Sequence, residues 1–294
     1  MTQRVALRIA LQGELGSFSD EGIHQLWGTD AERVPLRDFA DVTTAVVSGD
    51  ADVGILPIEN SIVGSINGSH DALAAAPSLI AVRETIVAVH HCVLAAPGMR
   101  FEGIRSVLSH PVALAQCGKF FAANPQLEVH AVYDTAGAAM DVSRIADPQV
   151  AAVASRRAAH HYGLDVVRAD IEDRPDNQTR FIAVAREAAS LEPGMPVRTM
   201  LAIRTNDRPG DLLRALAPLA AHGVSIRRLE SRPTGEPWTY RFFIEFDHAA
   251  GDPVAAMVIG EIGAAASETR HVGTFPRWAP NRRGSVGWTA ITDA

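Results

Sequence analysis

Thr179 and Arg180 stand where "EDRPDNQTRFIAV", residues 172–184, turns from acidic loop formers into an apolar strand pattern. A hydroxyl beside a guanidinium is a proton donor beside a carboxylate binder, and strand ends are where a rigid scaffold presents reactive side chains. Read alone, the fragment is better served by a turn closed by Asn177 and Thr179, with Arg180 paired to Asp173 or Asp176. Two other segments have similar character. "LQGELGSFSDEGI" sets Gly13 and Gly16 behind a strand and Ser17 and Ser19 before a helix, where backbone N–H groups and hydroxyls can hold a carboxylate or phosphate. "LPIENSIVGSINGSHDAL" runs an apolar strand straight into Glu59-Asn60-Ser61, polar groups at the end of a strand that can face a ligand crevice or close a turn on themselves, with Ser69 capping the next helix.

Other chemistries find little support. Cys92 and Cys117 have no ligand spacing, which points to reduced, buried thiols and to no metal site. The pairs His90-His91 and His160-His161 also lack metal spacing, and on a strand at most one of His90 and His91 can face a given site. The single lysine, Lys119, is the only residue a Schiff-base mechanism could use, and it lies in an amphipathic helical pattern. No phosphate loop or full dinucleotide fingerprint appears. A net charge of -7 without a basic tract argues against nucleic acid as a partner. No apolar run approaches the roughly 20 residues that span a bilayer, and the N-terminal residues do not read as a signal peptide, so a soluble cytoplasmic protein is expected.

The elements that position these residues follow an alternating pattern. "VALRIAL", "ADVGILPI", "IRSVLS", "LEVHAVY", "VAAVAS" and "FIAVA" read as strands. The helices between them have legible ends: Asp41 before a run that stops at Gly49, Pro111 opening another, Ser155 before one that stops at Gly163. Mostly parallel sheets with crossover helices are expected over residues 1–186. Residues 187–197 form a linker. Residues 198–275 read βαββαβ, the ferredoxin-like order, and 276–294 read as a coil tail.

Taken in order, "GELGSFS", "LPIENSIVGSINGSHDAL", "SHPVALAQC", "DTAGAA", "AAVASRRAAHHYGL" and "NQTRF" resemble the motifs of prephenate dehydratases. "RPGDLL" and "LESRP" resemble the ACT-type regulatory domain that follows in that family. The resemblance implies an α/β catalytic domain of two lobes, similar to periplasmic binding proteins, then a ferredoxin-like ACT domain. It implies conversion of prephenate to phenylpyruvate, water and CO2 in phenylalanine biosynthesis, with no redox cofactor or metal demanded. Thr179, Arg180 and Phe181 match the family's threonine-arginine-phenylalanine motif. Thr179 is then the proton donor to the departing hydroxyl, Arg180 a binder of a substrate carboxylate, and Phe181 packing behind them. Ser17, Ser19, Asn60, Ser61 and Asn177 complete an anion-binding pocket, with Glu59 orienting its neighbours.

The same resemblance implies L-phenylalanine as effector, read by Gly210, Leu212 and Glu230-Ser231-Arg232-Pro233, and a homodimer or homotetramer. This chain departs from the family pattern at Asp211, within its glycine-alanine-leucine segment. An acid there suits a helix's first turn; facing the effector pocket, it would repel a carboxylate or bind an ammonium. The rival readings are an arogenate dehydratase, a non-enzymatic amino-acid sensor, which needs no hydroxyl at 179, and a prephenate decarboxylase that expels no water.

Overall fold

The computed structural model describes residues 6–279. The first lobe comprises β1 (Arg8–Gln12), α1 (Phe18–Trp27), β2 (Glu32–Leu36), α2 (Phe39–Ser48), β3 (Val53–Asn60), β4 (Gly64–Ser65), α3 (Asn67–Ala75) and β5 (Ile80–Ala88). The chain then builds a second lobe from β6 (Cys92–Ala95), β7 (Ser106–Ser109), α4 (Pro111–Ala115), α5 (Gly118–Ala123), β8 (Glu128–Ala131), α6 (Thr135–Ile145), β9 (Val150–Ala154), α7 (Arg156–Tyr162) and β10 (Asp165–Arg168). It returns as β11 (Gln178–Ala185), which enters the first lobe's sheet in the order β2-β1-β3-β11-β5, while the second sheet runs β10-β6-β9-β7-β8.

The two-lobed α/β arrangement is the expected one, but the sheets are mixed rather than mostly parallel. β11 runs antiparallel to both β3 and β5, and β6 antiparallel to β10 and β9. The reason is connectivity: the chain leaves the first lobe along β5 and comes back along β11, so these neighbours oppose each other. β2 was hidden in the sequence by Pro35, tolerated because β2 is an edge strand that needs no N–H on its open side. β5 was hidden by Arg83 and Glu84 in its middle.

Local signals act largely as read. Ser155 Oγ accepts from Ala158 N at 3.0 Å, and Gly163 ends α7 in the left-handed region. For α2 the cap is Asp38, with Asp41 completing a capping box from the helix's third position. Ser69 is not a cap; it lies inside α3, buried. The helix opened by Pro111 breaks at Cys117 into α4 and α5.

A third unit follows as β12 (Pro196–Arg204), α8 (Asp211–Ala221), β13 (Ile226–Pro233), β14 (Tyr240–Ala249), α9 (Pro253–Ala265) and β15 (Glu268–Pro276), in the sheet order β13-β14-β12-β15 of a ferredoxin-like fold. Strand β12 starts at Pro196, inside the segment read as linker. The tail beyond residue 279 lies outside the described residues.

Period-two alternation gives this third sheet two buried faces. Leu201, Ile203, Ile244 and Phe246 pack under α8 and α9, while Met200, Phe243, Val272 and Phe275 join Leu56, Ile58, Leu73 and Val184 in one core shared with the first lobe. At that seam Gly273 lies directly on the backbone of β5, where any Cβ would overlap the Ala81 carbonyl. Among the described residues no helix is long and apolar enough to cross a membrane.

Candidate active site

Between the lobes lies a cleft of about 490 Å³ lined from both sides. The lobes are tied behind it. Ser155 Oγ donates to Gly16 O at 2.6 Å, and the Tyr133 hydroxyl donates to Glu14 Oε1 at 3.0 Å. The buried Asp20 accepts from Arg157 of the second lobe at 2.7 Å and from Arg33 of the first at 3.0 Å. Burial opposes ionisation of Asp20, but Arg157, the Gly16 N–H and Arg33 together hold its carboxyl below the usual range. Gly16 has φ +83° and sits 2.6 Å, measured from a notional Cβ, from the Ala158 backbone, so only glycine allows this approach.

Of the residues singled out in the sequence, Ser17, Ser19, Asn60, Thr179 and Phe181 line the cleft. Ser17 caps α1, accepting from Asp20 N at 3.3 Å. Asn60 organises the floor. Its Oδ1 accepts from Ile62 N and Val63 N, both at 3.0 Å, which fixes Nδ2 toward Thr179 Oγ1 at 3.0 Å, Asn177 Oδ1 at 2.8 Å and Gln178 O at 3.1 Å. Asn177, wholly buried, passes the chain on to Gln116 Oε1 at 3.0 Å, which also meets His91 Nε2 at 2.9 Å. Burial pushes the His91 imidazolium down, so the ring is a neutral donor to Gln116. A line of neutral polar groups therefore runs from Thr179 across to the second lobe.

Ser61 stands one step behind the cleft. It accepts from Gln178 N at 2.9 Å and donates to Asp176 O at 3.2 Å, holding the loop that leads into β11. Gln116 and Arg37 also line the cleft, and neither was singled out in the sequence. Arg37 carries a readable signal: it directly follows β2, at the end of parallel strands where α/β sheets place ligands.

Arg180 and Glu59 do not face the cleft. Strand alternation sends Thr179 and Phe181 one way and Arg180 the other. Pro57 lacks the N–H for a ladder bond, and β3 bulges beside it, Arg180 pairing with Glu59 but Phe181 with Pro57. The Arg180 guanidinium reaches the third unit, donating to Glu245 Oε1 at 2.6 Å and Oε2 at 2.7 Å, and to Glu84 at 3.0 Å. Asp173 and Asp176 are not its partners; Asp176 pairs with Arg174. Arg198 and Arg228 approach the same wholly buried Glu245 at 3.8 and 3.7 Å. Burial opposes the charge on Glu245, but Arg180, Arg228 and Arg198 keep its carboxyl lower than usual. Glu59 joins this cluster through Arg228 at 3.4 Å and Arg180 at 3.7 Å.

The residues matched to the effector motifs divide between two elements. Gly210, with φ +83°, and Leu212 sit at the start of α8; Glu230, Ser231, Arg232 and Pro233 lie on the edge strand β13. Glu230 accepts from Ser65 of the first lobe, and Arg232 pairs with Asp71 at 2.8 Å. Asp211 turns onto its own helix start, accepting from Arg208 N at 3.0 Å and from Arg214. Arg214 and the Arg208 N–H lower its carboxyl, the helix-start role anticipated for it.

Both cysteines are buried free thiols, and burial pushes Cys117 up to about 12. Lys119 is exposed and outside the cleft lining. His90, Asp170 and Glu172 come together, but His90 is already bonded to Glu172 at 2.6 Å and Asp170 pairs with Arg156 at 3.1 Å.

A two-lobed cleft domain whose first lobe is packed on a ferredoxin-like regulatory fold defines the class. The prephenate dehydratase family model matches residues 9–189, and the ACT domain model matches residues 199–263. The chain belongs to the prephenate dehydratase family, with a C-terminal ACT domain. It is 35% identical, over 92% of this chain and 73% of the other, to arogenate dehydratase/prephenate dehydratase 2, chloroplastic, of Arabidopsis thaliana. Prephenate dehydratase of Arthrobacter aurescens, solved in complex with L-Phe, matches with 31% identity and a TM-score of 0.85 over 96% of this chain and 93% of that one. GqqA, described as a novel type of quorum quenching acylase, matches with 33% identity and a TM-score of 0.84 over 94% of this chain and all of that one.

Proposed function

We propose that this chain is a prephenate dehydratase, producing phenylpyruvate, water and CO2, and that phenylalanine regulates it through the ACT domain. The observation that carries this reading is the Thr179 hydroxyl held in the cleft by Asn60. Because Asn60 Nδ2 donates to Thr179 Oγ1, the threonine proton is free to point at substrate. In the reaction the bond between the ring and its carboxylate breaks, its electron pair passes through the ring, and the opposite C–O bond releases hydroxide. Thr179 gives that oxygen its proton as basicity develops, and the Asn60 N–H stabilises the threonine oxygen left behind. Ser17, Ser19 and the start of α1 supply donors for substrate oxygens. Asn177, Ser61 and Gln116 hold the floor in place. Arg180, on this account, is a tie between domains rather than a substrate ligand.

Arogenate is the second substrate to weigh, because the Arabidopsis thaliana relative bears both names. The acylase described for GqqA would need an activated nucleophile, and among the described residues the Thr179 hydroxyl is hydrogen-bonded by Asn60, not by a base. Product analysis with purified protein tests the reading. Phenylpyruvate from prephenate is the expected result; phenylalanine from arogenate alone would transfer the assignment, and no product from either would leave the sensor reading in its place.

A further inference from the structure

We infer that Arg37 determines substrate specificity by binding the side-chain carboxylate of prephenate, an inference that rests on the dehydratase reading above. Prephenate and arogenate share a ring carboxylate and a ring hydroxyl. They differ on the side chain, which ends as a keto acid in one and carries an ammonium beside its carboxylate in the other. Both side chains end in a carboxylate, so a cation placed there attracts either substrate and discriminates by repelling the ammonium that only arogenate carries.

Among the described residues lining the cleft, Arg37 is the only arginine or lysine. The guanidinium that the motif places beside Thr179 is occupied on the other face by Glu245 and Glu84. His91 is neutral. Arg37 is exposed, and among the described residues only its backbone carbonyl is engaged, accepting from Gln12 Nε2 at 3.2 Å. The two carboxylates nearby are committed to backbone N–H groups. Asp134 accepts from Gly137 N at 2.9 Å and Glu14 N at 3.3 Å, and Asp38 caps α2.

Placement agrees with the substrate's shape. Arg37 follows β2 and Thr179 lies on β11, three strands along the sheet, a lateral separation of about 14 Å at the usual strand spacing. The hydroxyl and the side chain of prephenate sit on opposite ring carbons. With the hydroxyl at Thr179, the side chain extends toward β2, within reach of a long arginine. The ring carboxylate is the wrong partner for this cation, since it leaves as neutral CO2 and a guanidinium bound to it would stabilise the ground state more than the transition state.

The test is steady-state kinetics of the full chain on prephenate and, separately, arogenate, with Arg37→Ala, Arg37→Lys and Arg37→Glu. Arg37→Ala is expected to raise KM for prephenate about 10- to 100-fold, with kcat falling by less than KM rises, as for loss of a charge-assisted hydrogen bond made before and during the reaction. Arg37→Lys recovers part of that loss, and Arg37→Glu moves the ratio of kcat/KM values toward arogenate. An unchanged KM in Arg37→Ala, or equal losses on both substrates, would overturn the inference while leaving the dehydratase reading intact. Absence of turnover by the unaltered protein on either substrate would overturn both.

Discussion

The two faces of β11 put adjacent residues of one motif into opposite environments. On one face Thr179 meets neutral amides in an open cleft, where a hydroxyl can release a proton. On the other, Arg180 is buried among Glu84, Glu245, Arg198 and Arg228, a cluster that joins the catalytic lobe to the ACT domain. Contiguity in sequence does not mean a shared site, because a strand turns successive side chains through half a circle. It does give a short mechanical path: the backbone that carries the Thr179 hydroxyl is pinned, one residue on, by the ACT domain.

The contrast is broken most severely from the buried side. Arg180→Ala leaves Glu245 buried with its bidentate partner gone, and a loss of about 3–5 kcal/mol in unfolding free energy is expected, measurable by denaturant titration. Glu245→Gln, which removes the charge but keeps the shape, should lose less. From the cleft side, Thr179→Ala is expected to lower kcat about 10²–10³-fold with little change in thermal midpoint. Comparable losses of stability in both variants would mean that the faces are not separable.

The seam between the domains should also weaken in acid. His70 is wholly buried; its Nδ1 faces Ile66 O at 3.1 Å and its Nε2 accepts from Arg228 at 2.6 Å, so the ring is neutral. Burial first, then Arg228, lowers its pKa from 6.5 to about 4. Between those values the unfolded chain binds the extra proton, so stability falls as pH drops from about 6.5 to 4, by up to about 3 kcal/mol. Glu245, also lowered, adds to the loss at the acid end. Chemical unfolding across that window should show the slope, and His70→Gln should flatten it. A smaller effect is expected from Gly273→Ala, where the added methyl must push β15 off the Ala81 carbonyl, at about 1–3 kcal/mol. Unchanged stability there would mean that the ACT domain is not seated on β5.

What could be read in the sequence follows the range of the interaction. Caps act over three or four residues, so the ends of α7 were legible, and the polar ends of β1 and β3 gave Ser17, Ser19 and Asn60 directly. Period two alone would have separated Thr179 from Arg180. Their destinations were not legible, because Glu245 lies 65 residues away in another domain. The same distance hid β5: Arg83 and Glu84 interrupt its apolar run, and Glu84 faces Arg180 and Arg198, whose positions only the tertiary fold supplies. Gln116 stood inside a recognised motif, but its role depends on Asn177 and His91 converging on one oxygen.

The most direct test of the split between the two faces is the KM for prephenate of Arg180→Lys, taken with its thermal midpoint on the same preparation. A lysine cannot reproduce the bidentate contact with Glu245, so the midpoint is expected to fall while KM stays near that of the unaltered protein. A KM raised tenfold or more with an unchanged midpoint would place the Arg180 guanidinium on the substrate and contradict the account.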